Sequence, residues 1–141
     1  MNILFLNYVS NGPPFNSGIA ALSAYLKRAG HDTSLLTVTD GTTVESYSKK
    51  LIESAPDLVA VSVHTPHWTS ISPYLTATKA TRDVLTVCGG YHPTLCPEEV
   101  ISHPDVDLIC RGEGEQPLLA LADALAEGRS YSDIPGLWVK R

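Results

Sequence analysis

Apolar positions along the chain switch between two periods, and the switching predicts repeated strand–helix units. Residues 3–7 form a short apolar run of strand type, followed by a loop over 8–16 that carries Gly12, Pro13 and Pro14. Ser17 is the expected N-cap of a first helix, in which Ile19, Leu22, Leu26 and Ala29 recur at helical spacing before Gly30 ends it. Residues 31–38 read as extended, and Val44, Tyr47, Leu51 and Ala55 stripe a second helix stopped by Pro56. Residues 58–63 are almost wholly apolar, as expected of a central parallel strand covered on both faces. A third helix is predicted between Thr69 and Arg82, with Ile71, Tyr74, Leu75 and Thr78 inward and Pro73 in its first turn. A strand over 84–88, a short helix opened by Pro97 and a strand over 106–110 come next. Pro117 opens the last long helix, where Leu118, Leu121, Ala122 and Leu125 face the sheet and Gly128 closes it; residues 134–141 read as extended.

Repeated βα units with short connections imply a parallel sheet with right-handed crossovers. Five such strands are expected in the flavodoxin-like (Rossmann-like) α/β order 2-1-3-4-5, with helices on both faces. Ligands in this architecture sit at the carboxyl ends of the strands, so the informative loops start at Asn7, Ser62, Gly89 and Arg111. No internal repeat or second domain is visible, and residues 1–141 are read as one domain.

Composition narrows the function classes. A net charge of −5 without a basic cluster argues against nucleic acid or an anionic membrane as the main partner. No stretch reaches the length of a membrane span, and the first residues have no basic lead or cleavage site, so a cytoplasmic location is expected. The cysteines, Cys88, Cys96 and Cys110, are odd in number and widely spaced. That suits a reducing compartment and denies the chain a CxxC metal site or a CxxxCxxC cluster site.

The loops differ in the chemistry they offer. The first, Tyr8, Val9, Ser10, Asn11 and Gly12, holds no strong acid, base or nucleophile, and lacks the Walker and GxGxxG patterns. His64 and His67 are near each other after the third strand, but no acidic or cysteine side chain lies close in sequence, so no metal site is expected there. Gly89 and Gly90 end the fourth strand, which requires either unusual backbone angles or a close approach without a Cβ in the way. In the fifth loop, Gly112, Glu113, Gly114 and Glu115 open a helix; the carboxylates suit hydroxyl, amide or cationic groups, or simply the helix dipole.

Four segments together resemble the N-terminal cobalamin-binding domain of B12-dependent radical SAM enzymes. They are Pro14-Phe15-Asn16-Ser17-Gly18-Ile19 running on to Ala29-Gly30-His31-Asp32, and Pro56-Asp57-Leu58-Val59-Ala60-Val61-Ser62. Then come Gly89-Gly90-Tyr91-His92-Pro93-Thr94 with Pro97-Glu98-Glu99-Val100, and Asp107-Leu108-Ile109-Cys110-Arg111-Gly112-Glu113-Gly114-Glu115 with Ile134-Pro135-Gly136-Leu137. The resemblance implies cobalamin lying over the carboxyl edge of the sheet, its dimethylbenzimidazole tail detached from cobalt and buried in the protein. It implies contacts from Tyr8, Val9, Ser10, Asn11 and Ser17 of the first loop and helix start. Ser62 would stand beside the buried base, in a slot that Gly89 and Gly90 keep free of side chains. His64, Thr65, Tyr91 and His92 would meet the corrin side chains, and Gly112 and Glu113 the nucleotide tail or corrin rim. On this reading leucine at Gly90 blocks the slot without unfolding the sheet.

Two departures from the family pattern shape the expectation. Many cobalamin domains carry Asp-x-His-x-x-Gly after the first strand, whereas here the stretch is Asn7-Tyr8-Val9-Ser10-Asn11-Gly12. Val9 cannot ligate cobalt, so the cofactor is expected base-off without a histidine ligand, with no metal ligand and no catalytic residue in this chain. The family's CxxxCxxC motif is also missing. The chain is therefore expected to be an N-terminal fragment, with 134–141 leading toward a catalytic domain that would hold the [4Fe–4S] cluster and S-adenosylmethionine. The parent would be a methylase or a ring-modifying enzyme. The alternative is the same fold without cobalamin, used for docking or dimerisation.

Overall fold

The first strand settles how the two faces of the molecule are built. In the computed structural model, which describes residues 1–141, β1 (Asn2–Tyr8) sends Ile3 and Phe5 to one face and Leu4, Leu6 and Tyr8 to the other. Such alternation is the direct result of the two-residue period of a strand. β2 (Asp32–Val38), β3 (Leu58–Ser62), β4 (Leu85–Gly89) and β5 (Leu108–Cys110) join it in parallel. The order across the sheet is β2-β1-β3-β4-β5-β6. The five-stranded flavodoxin-like order is thus present, with one strand added.

That addition, β6 (Leu137–Val139), runs antiparallel to β5, pairing Cys110 with Leu137 and Leu108 with Val139. Of the stretch 134–141 expected as extended, only Leu137–Val139 is strand; Pro135 and Gly136 form a turn ahead of it, and the strand covers the edge of β5. Arg111 N–H donates to the Gly136 carbonyl at 3.0 Å, Lys140 N–H to Asp107 at 2.8 Å, and the Arg111 guanidinium lies 4.8 Å over the Trp138 ring.

Helices α1 (Ser17–Arg28) and α6 (Glu115–Ala126) cover one face, where Ile19, Leu26, Leu118, Leu121 and Ala122 pack on Ile3, Phe5, Leu58, Ala60, Val87 and Leu108. His31, just past the end of α1, reaches α6 through a 2.8 Å contact from Nε2 to Asp123 Oδ1. Helices α2 (Val44–Ser54), α3 (Trp68–Thr81) and α5 (Pro97–Ser102) cover the other face. There the buried Tyr47 hydroxyl meets Thr78 Oγ1 at 2.6 Å, and Thr78 donates to the Tyr74 carbonyl at 2.7 Å, so no hydroxyl is left unpaired.

Several boundaries differ from the sequence expectation. Asn16, not Ser17, caps α1: its backbone is extended and its Oδ1 accepts from Ile19 N–H at 3.0 Å. Both residues are competent caps, and Ser17 is already inside the helix. α3 starts at Trp68 behind a 3-10 turn (Thr65–His67), which places Pro73 in the second turn. Its exposed position lets water serve the carbonyl that loses its partner. Residues after Gly90, expected as a loop, form the short helix α4 (Tyr91–Leu95). α6 starts at Glu115, two residues ahead of Pro117.

Candidate functional site

Register and side-chain size together open a cavity at the carboxyl edge. On the face covered by α1 and α6, Phe5, Ala60, Val87 and Leu108 form one row across the sheet. The next row toward the carboxyl ends is Asn7, Ser62 and Gly89, with Cys110 alongside. Three of the four side chains in this second row are smaller than those below them, and a cavity of about 380 Å³ lies here between the sheet and the two helices. Its floor is Phe5, Ala60, Val87 and Cys110, its walls are Ile19, Leu22 and Leu118, and His64, Tyr91, Glu113 and Glu115 line it with them. A pocket of this size falls in the range that takes small molecules and cofactor fragments.

The two glycines have different duties. A Cβ on Gly89 would stand 3.8 Å from Cys110 Cβ, an ordinary contact, so Gly89 simply leaves the cavity wall bare. Gly90 has φ +103, and a Cβ there would meet the Val63 carbonyl oxygen at 2.9 Å. Its glycine is required by the turn into α4, not by the space of the cavity. The expectation that leucine at Gly90 blocks the slot while sparing the sheet is corrected by this contact, and Gly89 takes over that role.

A polar network sits at the top of the cavity. Asn16 Nδ2 donates to Ser62 Oγ at 3.1 Å and to Asn7 Oδ1 at 3.3 Å, while its Oδ1 caps α1. One side chain therefore starts the helix and aims the Ser62 hydroxyl. At the mouth, Thr94 Oγ1 donates to the Gly90 carbonyl at 2.8 Å and accepts from Gly112 N–H at 3.0 Å, tying the fourth loop to the fifth. Cys110 lies in the floor with its thiol pushed up to about 11 by burial and then by Glu115, so it is neutral at pH 7. Glu113 and Glu115 are the only Asp, Glu, Lys or Arg side chains in the lining. The surroundings favour a neutral, largely apolar group with a few hydrogen-bonding atoms.

Of the residues expected at the site, Ser17, Ser62, His64, Gly89, Gly90, Tyr91, Gly112 and Glu113 line the cavity. Tyr8, Val9, Ser10, Asn11, Thr65 and His92 do not. Tyr8 is buried on the opposite face, its hydroxyl bonded to Asp40, which pushes its pKa up. Val9 N–H continues the β2 pairing at Val38, and Ser10 Oγ lies 3.4 Å from His67 Nε2. His92 is buried beside Trp68, with ring centroids 5.5 Å apart. Sequence reasoning missed Asn16, Phe5, Leu22, Cys110 and Leu118, whose apolar or cap-like character marks them only as core or helix start. The row of rings at the carboxyl edge, Tyr8 to His67 at 4.9 Å, His67 to His64 at 6.1 Å and His64 to Tyr91 at 5.4 Å, was equally invisible.

The model of the B12 binding domain matches residues 3–122. The chain belongs to the B12-binding domain family. Among curated relatives, the anaerobic magnesium-protoporphyrin IX monomethyl ester cyclase of Rubrivivax gelatinosus is 32% identical over 146 residues, covering 94% of this chain and 26% of the cyclase. The chain spans about a quarter of the length of the curated relatives it matches. Among solved structures, the radical S-adenosylmethionine methyltransferase TsrM from Kitasatospora setae, with cobalamin and a [4Fe–4S] cluster bound, superposes with a TM-score of 0.87. It is 24% identical, and the match covers 96% of this chain and 26% of TsrM. The cobalamin-dependent radical enzyme OxsB, with aqua-cobalamin and S-adenosylmethionine bound, gives a TM-score of 0.79 at 24% identity, over 96% of this chain and 20% of OxsB. These structures share the fold of this B12-binding domain. No helix is long and apolar enough to cross a membrane.

Proposed function

We propose that this B12-binding domain holds cobalamin base-off, with the dimethylbenzimidazole in the cavity between the sheet and helices α1 and α6. The observation that carries the reading is the open slot itself: Phe5, Ala60, Val87 and Cys110 form its floor, and no ring of the protein fills it. A flat heterocycle fits a bare wall at Gly89 and an apolar floor, and the Ser62 hydroxyl, held by Asn16, offers its one aimed polar contact. The corrin would then cover the carboxyl edge near Tyr91 and His64. Bound cobalamin supplies methyl-transfer chemistry; the chain's own residues bind, orient and shield it from water.

Val9 stands where a cobalt-ligating histidine would be carried by the first loop, which supports a histidine-off state. We further place the domain as the cofactor module of a radical SAM methylase or ring-modifying enzyme, whose catalytic domain would bring the cluster and S-adenosylmethionine. Residues 1–141 form the cofactor domain on this reading, and the stretch from residue 134 leads toward that catalytic domain. The test is a titration of the chain with hydroxocobalamin, followed by reduction to the Co(II) state. One bound equivalent with a base-off absorbance spectrum and no imidazole nitrogen splitting in the electron paramagnetic resonance spectrum is expected. An unaltered cobalamin spectrum at saturating protein overturns the reading, and a nitrogen triplet overturns its histidine-off part.

A further inference from the structure

A second cluster of ligating atoms lies beside α4, away from the cavity. His92 and Cys96 are one helical turn apart, and Glu99 follows in the first turn of α5. Cys96 is the hinge between the two helices, with φ −127 and ψ 58, and its N–H donates to the His92 carbonyl at 2.8 Å. Across this hinge one nitrogen, one sulfur and one carboxylate oxygen all lie within 4.8 Å of one another. The expectation of no metal site rests on linear spacing: no CxxC pattern, no acidic or cysteine side chain near His64 and His67, and Val9 where a cobalt-ligating histidine would stand. The hinge gathers a mixed set that such spacing cannot show.

His92 is the decisive member. It is 3% exposed, and its Nε2 is buried without a hydrogen-bond partner. A buried ring nitrogen left this way is destabilising unless something occupies it. Glu99 Oε2 stands 3.5 Å away, in ion-pair range but without hydrogen-bond geometry. The other ring nitrogen, Nδ1, lies 3.3 Å from Thr65 Oγ1, and the Trp68 ring packs alongside. An Nδ1–H donated to Thr65 leaves the Nε2 lone pair directed at the carboxylate, the arrangement by which an outer partner orients a metal-binding imidazole.

We propose that His92 Nε2, Cys96 Sγ and Glu99 Oε2 bind one divalent cation of the zinc class, with water as a fourth ligand. Ligand bonds of about 2.0–2.3 Å in a tetrahedron put neighbouring donor atoms about 3.4–3.7 Å apart. The histidine–glutamate pair already has that separation at 3.5 Å, and the thiol closes on it by rotating at the half-buried Cys96. Mixed nitrogen, thiolate and carboxylate donors suit zinc and exclude magnesium or calcium, which require oxygen shells. The other two cysteines, Cys88 and Cys110, are buried elsewhere and free. A metal here would pin α4, whose Tyr91 and Thr94 line the cavity, against α5. The proposal is independent of what occupies that cavity.

The experiment uses the 141-residue chain, free of cobalamin and stripped with a chelator. Co²⁺ is added as the spectroscopic probe, and Zn²⁺ is then used to displace it. One equivalent of Co²⁺ giving a thiolate charge-transfer band, lost on adding Zn²⁺, is expected. Cys96→Ser removes the band, and Glu99→Gln, at an exposed position, weakens Zn²⁺ binding by about tenfold or more. Far-ultraviolet circular dichroism of both variants checks that the metal-free fold is unchanged. Absence of stoichiometric binding, or a band that survives Cys96→Ser, overturns the proposal.

Discussion

At the scale of single residues, adjacent positions with similar chemistry carry unlike loads. Gly89 and Gly90 look interchangeable in the sequence. Only backbone angles and the Val63 carbonyl separate them, and these arise from how β3 and β4 align. Leucine at Gly89 is expected to keep the fold and abolish cobalamin binding, read by melting temperature and by absorbance titration. Alanine at Gly90 is expected to cost about 2 kcal/mol in chemical denaturation, through its positive φ and the 2.9 Å approach to Val63. Asn16 and Ser17 form a similar pair. Helix periodicity located the start of α1 but could not choose the cap, because the choice depends on Asn7 and Ser62, brought in from β1 and β3. Replacing Asn16 by alanine removes the cap and releases Ser62, so a loss of about 1–2 kcal/mol together with weaker cobalamin binding is expected. Ser17→Ala, measured the same way, should leave stability nearly unchanged.

At the scale of elements, strands and helices were legible because each has one dominant periodicity. The ends were less so. β6 has only three residues, and its pairing depends on β5 offering an edge, which no local pattern announces. α4 is a single turn around Pro93, too short to show a stripe. α2 ends just ahead of Pro56, as its sequence predicts, but nothing in the pattern marks Ala55 for a left-handed conformation, φ 43 and ψ 57. A Cβ is unfavourable there, and the position is exposed. Ala55→Gly is therefore expected to raise stability by about 1 kcal/mol in urea denaturation, against the usual penalty for glycine in a helix. A loss instead would mean that the residue leaves this conformation in solution.

For the whole molecule, the two faces of the sheet differ in purpose. The α2 and α3 face is filled with large side chains and satisfied hydroxyls, whereas the α1 and α6 face tapers into the cavity. Hydrophobic pattern revealed both faces as core; it could not reveal which was incompletely filled, since that depends on lateral register between four strands. Both faces also bury a thiol. Burial pushes Cys88 up to about 12, with Asp107 adding to it, and Cys110 up to about 11. Both folded values are raised, so the contribution is intact below the unfolded thiol value near 8.5 and disappears as pH rises through about 11 to 12. Within that window each thiol is expected to remove about 1.4 kcal/mol per pH unit. Denaturation at several alkaline pH values should show this slope, and Cys88→Ala should lessen it.

The direction of β6 has a practical side. Because it runs against its neighbour, the chain returns from Leu137 to Lys140 along the whole short strand and finishes level with Asp107, at the amino edge of the sheet. Met1 lies at that same edge, beside Asp32. A chip or bead coupled to either end would hold the molecule by its base, leaving the cavity mouth facing the solution and any ligand passed over it.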